Sequence, residues 1–309
     1  MLSEVFMIDL KQCFASALLS LSVLFLLFTS VGVSQTDLEN ALKQYDSQTV
    51  KGYVQPLANL YGANINTGTF RSAKIPFAGF SINLDLIGMG SLVKDEYKMY
   101  TVTLPEGFTQ RTAEQPTIMG PAATLVSDPS GLQYKGSDGM VDASLFSHAV
   151  GQITIGSVNG TEAFFRFLPT PAIGGDKFPT TTLFGGGARH SISQYIPEAP
   201  LDLALGFSYN KMSIGDIMDI TGMAVGVQGS KNWDGAFTLY GGMGWEKSTL
   251  KLNYTLSGAS GGPVDVELDG DNNFRLTAGA LVKTGFFKIF ADLNVGSVIN
   301  ISGGIGFGN

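Results

Sequence analysis

The C-terminal stretch Phe287-Lys288-Ile289-Phe290-Ala291-Asp292-Leu293-Asn294-Val295 alternates large apolar residues with polar or bulkier lumen-type ones, and Ile299-Asn300-Ile301-Ser302-Gly303-Gly304-Ile305-Gly306-Phe307 repeats the pattern. A period of two marks an extended strand with one apolar and one polar face. Upstream, Leu201, Leu203, Leu205, Phe207 and Tyr209 alternate with Asp202, Ala204, Gly206 and Ser208; Leu250, Leu252 and Tyr254 alternate with Thr249, Lys251, Asn253 and Thr255. A soluble sandwich alternates too, so length and connection decide. These runs reach the ~9 to 11 residues that a tilted strand needs to cross a bilayer, beyond the ~5 to 6 of an ordinary strand. The joints Lys247-Ser248, Thr284-Gly285 and Ser297-Val298 leave no room for a crossover, so neighbours are antiparallel. A meander with a lipid-like face has exposed edges until it closes, and closure makes a barrel.

The expected fold is therefore all-β, a transmembrane antiparallel up-and-down β-barrel of about twelve strands, roughly 10 to 14. The count includes separate strands near 96–104, 236–246 and 249–257. Tyr209, Trp245, Phe274, Phe286 and Phe307 fall near strand ends, where aromatic girdles belong. A final strand ending in the periplasm assigns the long connection from Gly258 to Asn272 to the extracellular side.

Composition agrees. Glycine supplies 40 of 309 residues, and charged residues are 15%, against usual values of ~7% and ~25%. Beyond residue 30 no apolar run approaches the ~18 residues of a membrane helix. The one long apolar run, Phe14 to Phe28, follows Lys11 and leads into Val31-Gly32-Val33-Ser34. It reads as a signal peptide over residues 1–34, cleaved after Ser34, with either Met1 or Met7 as the start. The single cysteine, Cys13, lies inside that leader, so the mature chain is cysteine-free. An acidic chain with no basic patch argues against nucleic acid.

Residues 35–66 read as an N-terminal helical segment. Thr36-Asp37-Leu38-Glu39 has the capping-box form and introduces Leu38, Ala41, Leu42 and Tyr45 at helical spacing. A second helical stretch over Thr49 to Tyr61 is interrupted by Gly52 and Pro56. The segment is either a periplasmic stub or a plug in the barrel mouth. Residues 67–309 form the barrel, with an insertion at 105–148 that carries Pro105, Pro116, Pro121 and Pro129. This insertion either folds over the pore or stands as a surface loop.

Chemistry-bearing motifs are sparse, and no cofactor is implied. With only His148 and His190 present, a histidine triad or metal cluster is nearly excluded. His190 beside Ser191 and Ser193 suggests a lipid hydrolase at first sight, but strand alternation points the histidine and both serines to opposite faces. The acidic run Asp265, Glu267, Asp269, Asp271 resembles a calcium loop whose twelfth position, Leu276, lacks the required glutamate. It reads as a solvated loop. Gly185-Gly186-Gly187 and Gly304-Ile305-Gly306 lack nucleotide-loop context and suit close strand approach. Alternation places Asn83, Asp85, Asp202, Lys251, Asn253, Arg275, Asp292, Asn294 and Asn300 in the lumen. Both signs are mixed, unlike the single-sign ring of an ion-selective constriction.

Gly185 to Pro197, leading to Pro200-Leu201-Asp202-Leu203-Ala204, together with Gln55-Pro56-Leu57 and Asn66-Thr67-Gly68, resembles an uncharacterised family of Gram-negative outer-membrane barrels with a helical N-terminal segment. A long barrel with an N-terminal plug is more remotely similar to FadL-type channels for hydrophobic compounds. That family's Asn-Pro-Ala plug motif is not found here, so no binding residue carries over. The resemblance implies residence in the bacterial outer membrane, with lipid, lipopolysaccharide and the barrel-insertion machinery as partners. Two functions stay open: a passive channel or transporter for small molecules, hydrophobic ones included, or a structural, surface-interacting barrel with a closed lumen. An enzyme is not expected.

Overall fold

Alternation sets the faces, and strand register shows how the sheet closes. The computed structural model describes residues 35–42, 47–170, 180–255 and 262–308; the leader with Cys13 and the cleavage after Ser34 lie outside them. The strands are β1 (Ala78–Leu92), β2 (Met99–Thr103), β3 (Thr112–Pro116), β4 (Val126–Ser127), β5 (Gln133–Tyr134), β6 (Leu145–Val158), β7 (Thr161–Thr170), β8 (Thr181–Ser191), β9 (Asp202–Ile214), β10 (Met218–Trp233), β11 (Phe237–Thr255), β12 (Pro263–Asp269), β13 (Phe274–Thr284), β14 (Phe287–Val295) and β15 (Ile299–Gly308). Ten of them close a ring in the order β10-β9-β8-β7-β6-β1-β15-β14-β13-β11 and back to β10, while β12 adds to β11 outside it. The seam joins first to last, with Asp85 opposite Gly306 and Met89 opposite Ser302. All ring pairings are antiparallel.

Ten strands rather than twelve follows from two particulars. The run near 96–104 leaves the ring and pairs locally, β2 with β3, inside the insertion. The runs 236–246 and 249–257 are a single strand, because Lys247 and Ser248 pair with Met223 and Gly222 in unbroken register instead of turning.

What looks like a joint at Lys247 is an inversion of polarity along one strand. Below it, Leu239, Met243 and Trp245 point outward and are exposed, while Thr238 and Tyr240 point inward and are buried. Above it, outward Lys247, Lys251 and Asn253 are polar and exposed, and inward Leu250, Leu252 and Tyr254 are apolar and buried. The change falls at one level on neighbouring strands: after Tyr209 on β9, where Lys211 faces out and Met212 in, and between Thr221 and Met223 on β10. Lys251 and Asn253 therefore stand on the outer surface, not in the lumen, and Leu252 faces a core. The outward apolar stretch of β11, Phe237 to Trp245, covers on the order of 27 Å along the strand at ~3.4 Å per residue. Once tilted, that suits the ~25 Å apolar band of an outer-membrane-type barrel. Aromatics border it above, where Trp245 pairs with Phe274, and below, where Phe286 stacks on Phe307 at 6.3 Å.

Beyond the upper border the molecule becomes an ordinary apolar core, built on helices α1 (Gln35–Leu42) and α2 (Ser47–Ile65). Val54, Leu57 and Leu60 of α2 pack with Leu250, Leu252, Val266, Leu268, Met212 and Ile220 from the extended sheet. Fully burying such side chains stabilises by ~1.5 to 3 kcal/mol each. Their sum outweighs the ~3 kcal/mol that an internal proline costs, so α2 runs unbroken through Pro56. Gly52 serves close approach, since a Cβ there would lie 2.4 Å from the ring of Tyr100. The chain between β1 and β6 folds over the mouth and clasps the helices. The Ile118 amide donates to Tyr53 O at 3.0 Å, the Tyr53 hydroxyl to Asp138 O at 2.8 Å, and Ser137 Oγ to Ala41 O at 3.1 Å. Among the described residues no helix is long and apolar enough to cross a membrane.

Candidate functional site

A helix that ends inside a barrel presents its last carbonyls to a buried space, where each needs a donor. At the C-terminus of α2 the wall supplies two arginines. Arg166 of β7, 1% exposed, donates through Nη1 to Ile65 O at 3.0 Å and through Nη2 to Thr67 O at 2.8 Å. Its Nη2 also reaches Gly68 O, and its Nε donates to Gln152 Oε1 at 3.0 Å. Arg275 of β13 donates to Ala63 O at 2.6 Å and to Thr67 Oγ1, and pairs with Glu246 at 2.9 Å. Cations at a helix C-terminus also favour its dipole.

From there the chain runs down the lumen as an irregular segment, Asn66 to Pro76. Gly68 adopts φ +64°, and a Cβ there would press on Ile87 and Ser302 at 3.1 Å. Arg71 lies 3.7 Å from Asp85 and over the Phe290 ring at 4.0 Å. Phe70 meets Tyr240 edge-on at 5.7 Å. Lower down, Arg189 donates to Ser72 O at 2.7 Å while paired with Glu162. The Ala73 amide donates to Ser230 Oγ at 2.8 Å, and Ser157 Oγ donates to Pro76 O. The segment reaches the opposite rim where the Gly160 amide donates to Phe77 O at 2.8 Å. Wall glycines make room for it: a Cβ at Gly242 would lie 2.9 Å from Phe70, and one at Gly222 2.8 Å from Asn66. Wall and plug are fitted to each other.

Most residues read from the sequence as lumen-lining stand on this inward face. Asp85 pairs with Arg71 and with Lys288 at 3.6 Å, and Lys288 donates to Asn83 Oδ1 at 2.5 Å. Asp292 accepts from Tyr240 at 3.0 Å, Ser302 at 2.7 Å and Asn294 at 2.6 Å. Asn300 is bonded to Ser91 at 2.5 Å. Asp202 sits half-buried at the lower rim. Arg166 and Arg189, the strongest anchors, were not singled out from sequence. The signal is present in Phe164-Phe165-Arg166-Phe167, where a lone cation interrupts aromatics on the inward parity.

The space left beside the plug is a cavity of about 60 Å³, lined by Asn66, Phe70, Arg189, Gln228, Glu246 and Asp292 among others. At the ~10 to 15 Å³ that each water requires, it holds a few waters and no organic cargo. The other candidates dissolve. His190 lies at the lower rim with Nδ1 against Thr161 Oγ1 at 2.8 Å and Nε2 against the Tyr195 hydroxyl at 2.9 Å, while Ser191 and Ser193 contact each other at 3.3 Å. Asp265, Glu267 and Asp269 belong to strand β12, where Glu267 pairs with Lys251 at 3.1 Å and Asp269 with Lys247 at 3.3 Å. Among the described residues no group of histidine, cysteine and carboxylate side chains is placed to hold a metal.

The model of a family of unknown function, DUF6588, matches residues 11–309. The chain belongs to that family. Curated proteins offer this DUF6588 chain no match in sequence. Among solved structures it is similar to the translocator domain of the autotransporter NalP from Neisseria meningitidis, at 16% identity and a TM-score of 0.30, covering 87% of this chain and 99% of that one. It is similar also to a loop-deletion mutant of OmpT, an outer membrane protein of Vibrio cholerae, at 10% identity and TM-score 0.27, covering 75% and 98%. A triple mutant of the Rhodopseudomonas blastica porin matches at 13% identity and TM-score 0.13, covering 74% and 100%. The strand pairing of the chain itself establishes its architecture.

Proposed function

We propose that this DUF6588 chain is a Gram-negative outer-membrane barrel whose lumen is sealed by its own residues 66–76. Its work lies in the folded cap at the end of the long connections, a structural or surface-interaction role among lipid and lipopolysaccharide. The observation that carries this reading is Arg166, buried and bonded to the last carbonyl of α2, Ile65 O, and to the plug carbonyls of Thr67 and Gly68. Hydrogen bonds to charged groups contribute ~1.5 to 3 kcal/mol each. Breaking those of Arg166 and Arg275 together costs on the order of 5 kcal/mol, which holds a spontaneously open form near 1 part in 10⁴. The cavity beside the plug, into which Arg189, Glu246 and Asp292 reach, favours a second reading, a small-molecule channel opened when a partner pulls the cap.

Planar-bilayer recording separates them. The sealed barrel gives a silent wild type, and Arg166→Met with Arg275→Met opens ohmic channels. Steady wild-type conductance equal to that of the double variant overturns the sealed reading.

A further inference from the structure

The path of the N-terminal segment has a direction. One rim of the barrel carries tight turns, at residues 159–160, 234–236 and 285–286, and one longer connection, residues 192–201. The other carries the long chain between β1 and β6 and the strand β12 that follows β11, together with short turns at residues 215–217 and 296–298. Helices α1 and α2 sit at this second rim. Asn59 Nδ2 donates to Asp271 Oδ2 at 2.7 Å, Asn272 Nδ2 to Asn59 O at 2.9 Å, and Gln55 Nε2 to Asp269 O at 2.9 Å. Residues 66–77 then traverse the lumen and reach the tight-turn rim at Phe77, where β1 starts beside the end of β15. Helices and first strand thus begin on opposite sides of the apolar belt. In outer-membrane barrels the tight turns are periplasmic and the long connections extracellular.

We propose that the chain threads its own barrel: α1 and α2 lie on the cell surface, and residues 66–77 run inward through the lumen to the periplasmic rim. The proposal rests on the outer-membrane reading above. The N-terminal helices are then part of the surface that meets lipopolysaccharide and the medium, in place of a periplasmic stub. Packing explains why they stay there. The apolar side of α2 fits the inward side of the strand extensions that stand above the belt, with Leu57 and Leu60 in one core with Leu250 and Leu252. The outward side of those extensions is a charged ladder, Lys211–Asp219 at 2.9 Å and Lys251–Glu267 at 3.1 Å, suited to water or lipid headgroups and unsuited to acyl chains.

The mature chain's lack of cysteine makes the test clean, since the single cysteine precedes Ser34. Asn40→Cys on α1, Lys51→Cys on α2, Glu267→Cys on the cap and Ala236→Cys at the tight-turn rim all replace exposed residues. Each full-length variant is expressed in Gram-negative cells and treated with a membrane-impermeant maleimide before and after permeabilisation. The proposal expects Asn40→Cys, Lys51→Cys and Glu267→Cys to label equally in both conditions, and Ala236→Cys to label only after permeabilisation. If Glu267→Cys labels on intact cells while both helix positions require permeabilisation, threading is overturned and the outer-membrane reading survives. If Ala236→Cys labels on intact cells and the others do not, the direction is overturned. If none labels on intact cells and the chain fractionates away from the outer membrane, the underlying reading falls first.

Discussion

Replacing Arg166 by methionine keeps the length of the stem and removes the charge-assisted bonds that this residue gives to the top of the plug, leaving those of Arg275. Ile65 O, Thr67 O and Gly68 O lose a donor, and so does Gln152 Oε1. An unsatisfied buried acceptor costs ~1 to 3 kcal/mol. Against this, the variant no longer buries a cation, which returns part of the loss. The net cost is about 3 to 5 kcal/mol, the range for removing one partner of a buried charged network. Because the lost bonds join plug to wall, the cost falls on local opening rather than on the ring of strands. Hydrogen exchange in the detergent-folded protein reads this directly. The Thr67 amide donates to Asn64 O at 2.9 Å and the Ala73 amide to Ser230 Oγ at 2.8 Å, so both report on plug opening. A loss of 3 to 5 kcal/mol accelerates their exchange by roughly 10² to 10⁴, while amides of β14 and β15 keep their protection. Arg111→Met, at an exposed cap residue, is the silent control. Exchange at Thr67 and Ala73 within tenfold of wild type refutes the anchoring role.

Polarity inversion along β11 makes a contrast testable by denaturant unfolding. Leu293→Arg, on the outward apolar belt, should cost roughly 2 to 4 kcal/mol near the midplane; Leu252→Ala should cost ~2 to 5 kcal/mol as a core truncation; Lys251→Leu should stay within ~0.5 kcal/mol. A costly Lys251→Leu with a harmless Leu252→Ala would reverse the assigned faces. Gly62 has no room for a side chain, because a Cβ would lie 2.5 Å from Ser248 Cβ. Gly62→Ala should therefore loosen α2 by about 1 to 3 kcal/mol, and Ser248→Gly should restore it in a double-mutant cycle; absence of coupling sinks the contact. In the cap, backbone and side-chain hydrogen bonds from Ser130, with Thr109, hold the Asp128 carboxyl below the usual range, the Ala123 amide does so for Asp138, and Thr249 for Asp269. Folded pKa values that lie below the unfolded ~4 mean stability present above that pH and lost as pH falls through the folded values. Protease cleavage between residues 93 and 144 should rise below about pH 4, and a rate flat down to pH 3 would contradict the sign.

The C-terminal meander is legible in sequence because its faces are nearly uniform: β14 and β15 keep apolar residues out and, Phe290 apart, polar or small ones in along their whole length. β11 misleads for a physical reason. Its side chains never change parity, but their character does, from an apolar outer face and a polar lumen inside to a polar outer face and an apolar core inside. Read as periodicity alone, this swap resembles a turn at Lys247-Ser248, which inflates the strand count and sends Lys251 and Asn253 to the wrong face. The plug is illegible by the same method, since Asn66 to Pro76 has neither helical nor strand period and takes its shape from wall arginines distant in sequence. Arg166 and Arg189 show their role only when register places them on the inward face beside those carbonyls.

The central claim is that this segment occupies the lumen of the folded barrel, and a crosslink tests it. Ser72 Oγ and Ser230 Oγ, one on the plug and one on β10, are 3.3 Å apart. With both changed to cysteine and Cys13 changed to serine, oxidation of the folded protein should close one intramolecular disulfide, seen as a mobility shift reversed by reductant. Two free thiols after oxidation, with Ser72→Cys open to a bulky maleimide, would place the segment outside the barrel and contradict the account.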